Sequence, residues 1–191
     1  PSDALALVLF AIGAALHFFL AAIVLGKRSA ATSDRVVFAG LVAFGLWHGC
    51  RAGSLLHRAL AEQELESPAL IGLGVAALLL ALALLVHAAL SWARLSVWLS
   101  VPVYLIALPI WWTERSGRHE IYQFWVLLTI VWAAALCVRS ALLAGQAHMK
   151  SFFSVFAAAL VLIPLVTVTS GAGSALVVTA SLLPTAVFAR Y

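Results

Sequence analysis

Charged side chains are scarce in this sequence. Aspartate, glutamate, lysine and arginine together make up 9% of its 191 residues, whereas about 25% is usual in a soluble domain. Hydrophobic residues account for 65% of the chain, and a protein of this size cannot hide so much apolar surface in a core surrounded by water. The composition therefore excludes an ordinary soluble domain and predicts that lipid surrounds most of the chain.

Several kinds of functional motif are missing as well. The formal net charge is +4, but no run of basic residues occurs, so nucleic acid is not an expected partner. The two cysteines, Cys50 and Cys137, lie inside apolar segments and are interpreted as small buried hydrophobic residues. No P-loop, Rossmann glycine fingerprint, HExxH or paired CxxC motif is present. We therefore expect no catalytic activity from this chain alone.

The apolar segments contain no carboxylate, and the last one contains no lysine. Proton- and cation-coupled transporters usually place Asp or Glu within the membrane, so the missing carboxylates argue against that class. A retinal Schiff base of the rhodopsin kind needs a lysine in the seventh helix and cannot form there. The remaining polar residues of the apolar segments are histidine, arginine, serine, threonine, tyrosine and one glutamine.

Long apolar runs dominate what is present. Lipid offers no hydrogen bonds to a bare backbone, and these runs lack period-two alternation, so they predict helices. Seven of them are long enough to cross a hydrocarbon core of about 30 Å. Separated at their polar breaks, they cover approximately residues 4–25, 36–60, 69–92, 95–112, 121–143, 151–168 and 175–189. We predict an all-α, polytopic bundle of seven transmembrane helices, forming a single domain over residues 1–191.

Lysine and arginine are unevenly distributed between the two sides of this predicted bundle. One side has Asp3, the acidic stretch 62–66 with Arg58, the mixed loop 113–120 with Arg115 and Arg118, and the uncharged loop near Gly171. The other side has the first, third and fifth connecting segments and the tail, which contain Lys27, Arg28, Arg35, Arg94, Lys150 and Arg190. Because basic residues stay on the cytoplasmic side, these segments are predicted to be cytoplasmic. The predicted topology is N-terminus outside and C-terminus inside.

Two histidines lie at comparable depth in neighbouring antiparallel spans, His17 in the first and His48 in the second. Three interpretations stay open. Each histidine bonds a backbone carbonyl and fixes helix packing, or the pair binds a polar ligand headgroup, or the pair ligates haem b or a metal. Glycines near both residues, such as Gly13, Gly45 and Gly49, supply some room for a flat macrocycle.

A polar stripe continues outward from His48 through Arg51 and Ser54 to Arg58. It predicts one wall of an outward-facing cavity for a small anionic or amphiphilic ligand. The alternative is that Arg51 extends its charge to the outer surface; Glu62, Glu64 and Glu66 would then neutralise the stripe. The candidate ligand-binding residues are His17, Trp47, His48, Arg51, Ser54 and His57.

The second span contains Leu-Trp-His at 46–48 and Arg-Ala-Gly at 51–53, and the chain ends in Ser-Leu-Leu-Pro-Thr-Ala-Val-Phe-Ala-Arg-Tyr at 181–191. In these places the sequence resembles the N-terminal seven-helix sensor region of bacterial membrane histidine kinases. The resemblance implies a location in the bacterial inner membrane, dimerisation, and transmission of a signal through the last helix to a cytoplasmic output domain. No phosphoacceptor-histidine helix and no glycine-rich ATP-binding motif is present in this chain.

Two main functions follow as alternatives. One is a sensor or receptor module that binds an extracytoplasmic or lipid-borne ligand. The other is an integral membrane subunit of a larger redox complex that binds haem b or another cofactor through His17 and His48. A structural subunit without a ligand is a third possibility. The expected partners are the lipid bilayer and a second copy of the chain or a membrane complex.

Overall fold

A computed structural model describes residues 2–26, 32–61, 67–170 and 175–190. These residues contain seven α-helices, one short 3₁₀ helix and no strand. The helices are α1 (Ser2–Leu25), α2 (Thr32–Leu60), α3 (Pro68–Trp92), α4 (Val101–Arg115), α5 (His119–Leu143), α6 (Ala147–Ser170) and α7 (Ala175–Arg190), with the 3₁₀ helix Val97–Ser100 leading into α4. The predicted all-α class is confirmed.

Six of these helices are long and apolar enough to cross a membrane, and α7 is a shorter apolar helix. Their lengths and composition support a multi-pass membrane protein. Helices α2 and α6 begin four residues before the predicted spans. The predicted start of the fourth span at 95 is wrong, since α4 begins at Val101 after the 3₁₀ helix Val97–Ser100. Lys27, Arg28, Tyr191, the acidic stretch 62–66 and the loop 171–174 lie outside the described residues.

Contacts between α-carbons group the chain into two compact units that meet within α3. The first unit ends at Ala81 and contains α1, α2 and the first half of α3; the second begins at Leu82 and contains the remaining helices. In the first unit α1 packs against α2, and in the second α4, α5, α6 and α7 pack in sequential pairs. The single domain expected from the sequence stays a prediction.

Five aromatic rings form a cluster in the second unit: Trp92, Phe152, Phe153, Phe156 and Phe188. Their centroids lie 5.1 Å apart in the closest pair, Phe152 and Phe153, and 6.4 Å apart for Phe152 and Phe188. These distances suit offset or edge-to-face aromatic pairs. The cluster joins the end of α3 to the start of α6 and to the last turn of α7.

Helix α3 ends in a Schellman motif whose left-handed position is occupied by arginine. The amide of Arg94 donates to the carbonyl of Ser91 at 3.1 Å and that of Leu95 to Leu90 at 2.9 Å, while Arg94 has a φ of 54°. Arg139 of α5 donates from Nε to the carbonyl of Ala93 at 3.2 Å, which places a positive charge at a helix C-terminus.

Helix α4 also ends in a Schellman motif, and here glycine occupies the left-handed position. There Gly117 has a φ of 79°, and the amide of Arg118 donates to the carbonyl of Thr113 at 2.9 Å. Glycine adopts this conformation without the steric cost that a side chain adds. The two motifs therefore make a matched pair, one relaxed and one strained.

We expect Arg94→Gly to raise the free energy of unfolding by about 0.5–1 kcal/mol, because it removes the strain of a side chain at positive φ. Gly117→Ala is the matched control and is expected to lower it by about 1 kcal/mol. Denaturant unfolding of the detergent-solubilised protein measures both. A lower stability for Arg94→Gly would contradict the expectation and show that the arginine side chain contributes more than its conformation costs.

Candidate functional site

Helices α1 and α2 meet along one line of paired residues, called here the α1–α2 seam. From the start of α1 inward the pairs are Asp3 with Arg58, Phe10 with Arg51, Gly13 with His48, and His17 with Phe44. The steps along α1 are seven, three and four residues, and the partners on α2 recede by the same steps. This heptad-like spacing is typical of two antiparallel helices that pack nearly in line.

Both histidines bond backbone carbonyls of their own helices. The Nδ1 of His17 lies 2.7 Å from the carbonyl oxygen of Gly13, and the Nδ1 of His48 lies 2.9 Å from that of Phe44. A carbonyl oxygen can only accept, so each neutral imidazole has its proton on Nδ1. In each ring Nε2 is then the unprotonated nitrogen.

The two imidazoles stack on each other. Helical side chains lean toward the N-terminus of their own helix, and α1 and α2 run in opposite directions, so the rings of His17 and His48 lean toward one another. Their centroids are 4.8 Å apart, with 29° between the planes. The side chains are 2% and 0% exposed, which places the stack in the interior of the structure.

Gly13 permits this close approach. A Cβ at Gly13 would overlap the Cδ2 of His48 and lie 2.8 Å from its Nε2. The Cγ–Cδ2–Nε2 edge of His48 therefore lies directly against the backbone of α1. At Gly49, one helical position after His48, a Cβ would instead lie 4.0 Å from the Cβ of Ala14, an ordinary contact.

Aromatic rings surround His48 on its other sides. The centroid of Trp47 lies 4.5 Å away and that of Phe10 lies 5.8 Å away, both edge-on. The Nε2 of His48 is buried and has no hydrogen-bond partner among the described residues. An unsatisfied buried acceptor costs about 1–3 kcal/mol, so this nitrogen is the unusual feature of the seam.

The structure brings three of the six candidate residues into direct ring contact: His17, Trp47 and His48. Arg51 lies one turn further along α2, with its guanidinium 5.9 Å from the ring centroid of Phe10. Ser54 is buried.

His57 is exposed at the protein surface. Nine residues, about two and a half helical turns, separate it from His48, so it lies on the opposite face of α2. It therefore does not belong to the seam.

Arg58 pairs with Asp3 across the seam, with 2.6 Å between Nη2 and Oδ2. The sequence-based expectation assigned neutralisation of the stripe to Glu62, Glu64 and Glu66, which lie outside the described residues. Sequence reasoning missed Asp3 as the partner of this arginine. It also missed Phe10 and Phe44, although their heptad-like spacing along the two helices was a usable signal. Gly13 was named as a source of room near the histidines, but its contact with His48 was not predicted.

In the present packing the α1–α2 seam has no room for a haem between the two histidine rings. Two axial histidines hold a metal between nitrogens that each lie about 2 Å from it, with the macrocycle between the rings. Here the rings of His17 and His48 lie face to face, so α1 and α2 would have to separate to admit a macrocycle. The described residues contain no group of three or more His, Cys, Asp or Glu that could hold a metal ion.

Comparisons with known protein families, curated proteins and solved structures found no match to this chain. The resemblance to sensor regions of histidine kinases therefore stays a prediction.

We expect Gly13→Ala to lower the free energy of unfolding by about 1–3 kcal/mol, because its Cβ must displace the ring of His48. Gly49→Ala is the matched control on the facing helix. It is expected to be neutral or stabilising by up to about 1 kcal/mol, since alanine favours the helix and its Cβ finds room. Unfolding in detergent measures both variants, and equal effects of the two would contradict the close contact between Gly13 and His48.

Proposed function

We propose that this chain is a membrane-embedded sensor module that binds its ligand at the α1–α2 seam and transmits the signal through α7 to a cytoplasmic output domain. The observation that supports this proposal is the buried, unpartnered Nε2 of His48. Lipid cannot satisfy such a group, and an ionisable residue inside a membrane bundle is a candidate for a functional site. A ligand that donates a hydrogen bond to Nε2 of His48 would satisfy this acceptor, which has no partner among the described residues.

The proposed topology has seven spans, with the N-terminus outside and the C-terminus in the cytoplasm of a bacterial cell. It rests on the distribution of lysine and arginine among the connecting segments. In this orientation the pair of Asp3 and Arg58 lies at the outer end of the seam. The seventh span is α7, whose 16 residues extend about 24 Å, somewhat less than an average hydrocarbon core.

Charge along the seam increases toward the outside. Arg51 and Arg58 lie outward of His48 on α2, and Asp3 is the carboxylate that faces them from α1. In this proposal a small amphiphilic ligand enters from the outer side or from the bilayer. To act as a signal it must bind one packing of α1 against α2 more tightly than another.

The output in this proposal is a shift of α7. Phe188, in its last turn, contacts Phe152 of α6, and through it the aromatic cluster that includes Trp92. Packed aromatic contacts have a few discrete arrangements and do not deform continuously. A change in these contacts would therefore rotate or shift the end of α7 as a unit. Dimerisation, or assembly into a membrane complex, belongs to the same proposal.

A disulfide across the seam tests transmission without knowledge of the ligand. A Cβ at Gly49 would lie 4.0 Å from that of Ala14, within the range of disulfide-bonded cysteines. We expect oxidised Ala14→Cys/Gly49→Cys protein, in a background lacking Cys50 and Cys137, to hold the seam closed. Hydrogen exchange of the α7 amides should then differ about fivefold or more from that of the reduced protein, the scale of a typical allosteric coupling.

The single variant Gly49→Cys, treated with the same oxidant, controls for oxidation elsewhere in the protein. It should show no change in α7. If the locked and reduced proteins have the same exchange rates in α7, the seam is not coupled to the last helix and the sensor proposal fails.

A haem b subunit of a redox complex is the second candidate. The hydrogen bonds from Nδ1 of His17 and His48 to carbonyls favour it, because metal-ligating histidines usually donate their other nitrogen in this way. This candidate predicts a Soret band in protein purified from membranes, lost in both His17→Ala and His48→Ala and kept in the control His57→Ala. The sensor proposal predicts no such band in any of these proteins.

A further inference from the structure

We infer that the ligand of the α1–α2 seam is a neutral, hydroxylated aromatic amphiphile, such as a phenol or quinol headgroup on an apolar tail, whose hydroxyl donates to Nε2 of His48. This inference rests on the sensor function proposed above and assigns the chemical class of the ligand. Four features of the seam support it: the protonation of His48, the charges, the aromatic walls and the packing against Gly13.

The protonation of His48 decides the polarity of the hydrogen bond. Its Nδ1–H donates to the carbonyl of Phe44 at 2.9 Å, so Nε2 offers only a lone pair. A ligand that meets this nitrogen must therefore donate a hydrogen. Ketones, esters and fully ionised carboxylates have no hydrogen to donate and are poor partners for it.

The charges on the seam disfavour a cationic donor. Arg51 and Arg58 lie on α2 beyond His48, and on α1 the only carboxylate is Asp3, which already pairs with Arg58. The carboxylate of α2, Asp34, lies in its first turn, fourteen residues from His48, which is about 21 Å along the helix. The part of α3 in the same unit, Pro68–Ala81, contains no ionisable residue. An ammonium group would lose its hydration without gaining a counter-charge. A neutral donor avoids this cost, and the hydroxyl is the neutral donor that we infer.

The walls of the site are aromatic. His17 stacks on His48, while Trp47 and Phe10 present their rings to it edge-on. A flat headgroup can take the place of His17 in the stack and keep the edge-to-face contacts, each worth about 0.5–1.5 kcal/mol. Trp47 is half-buried and its neighbour Leu46 is exposed, so an apolar tail can leave the cluster beside them into the lipid.

The contact with Gly13 couples binding to a change in packing. The edge of His48 that includes Nε2 lies against the backbone of α1, and no headgroup fits between them while the seam is closed. The hydroxyl reaches Nε2 only when α1 and α2 move apart. The ligand therefore binds the open seam and not the closed one, which is the difference in affinity that a signal requires.

Retention of tritiated para-hexylphenol by lipid nanodiscs tests this inference. Nanodiscs that contain the protein should show saturable retention above that of empty nanodiscs. We expect His48→Phe to weaken binding about tenfold, the effect of one lost hydrogen bond to a buried acceptor. His48→Gln should bind nearly as the wild type does, because its amide oxygen can replace Nε2, and His57→Phe, at the exposed histidine of the same helix, should leave binding unchanged.

Two competitors and the seam disulfide complete the test. Para-hexylanisole lacks the donor hydrogen and should compete poorly, and nonanol lacks the ring and should also compete poorly. Oxidised Ala14→Cys/Gly49→Cys protein should lose binding and regain it on reduction. Equal binding by His48→Phe or by the oxidised protein, full competition by para-hexylanisole or by nonanol, or no saturable binding by the wild type would overturn the inference.

The outcomes also separate this inference from the sensor function. If the wild type does not bind the phenol but the seam disulfide alters exchange in α7, the ligand class is wrong and the sensor function stands. If the phenol binds as described but exchange in α7 is unaffected, the binding site is correct and the proposed transmission is wrong.

Discussion

In the apolar interior of a helical bundle, an imidazole N–H has no water to which it can donate. In both His17 and His48 it donates to the carbonyl four residues earlier in the same helix. That bond fixes the plane of each ring and, because the helices are antiparallel, turns the rings toward each other. The stack that results sets the register of the α1–α2 seam, and the bare α-carbon of Gly13 makes room for it.

The same constraint produces the functional feature of the seam. A neutral imidazole with its proton on Nδ1 leaves a lone pair on Nε2, and in His48 the described residues do not satisfy it. By contrast, Arg58 has an ion-pair partner in Asp3 at the end of the seam where α1 begins. That end of the seam is complete within the chain, and the middle of the seam is not. This asymmetry is the reason to propose a ligand at His48 and an opening of the helix pair about the end that contains Asp3 and Arg58.

Much of the fold follows from the sequence alone. The apolar runs predicted seven helices, and the described residues contain seven α-helices. The connection after α3 is longer than predicted, because the 3₁₀ helix Val97–Ser100 precedes α4. The depth of His17 and His48 was also predictable from position along each span. These features depend on local composition and spacing, which the sequence states directly.

The arrangement within the site was less accessible to sequence reasoning. That the histidines stack depends on the register between α1 and α2 and on the ring of His48 passing over Gly13, and neither is a property of one segment. His57 was included among the candidate ligand-binding residues, although it lies nine residues after His48 and therefore on the opposite face of α2. The spacing of residues within a helix predicts which side chains share one face of it. Which faces of two helices pack together depends also on the partner helix.

The central claim is the protonation and stacking of the two histidines. Nitrogen NMR of histidine-labelled protein in lipid nanodiscs tests it most directly. The structure predicts that His17 and His48 both have a protonated Nδ1 and an unprotonated Nε2, with through-space transfer between their rings. A protonated Nε2 in His48, or no transfer between the two rings, would contradict the account.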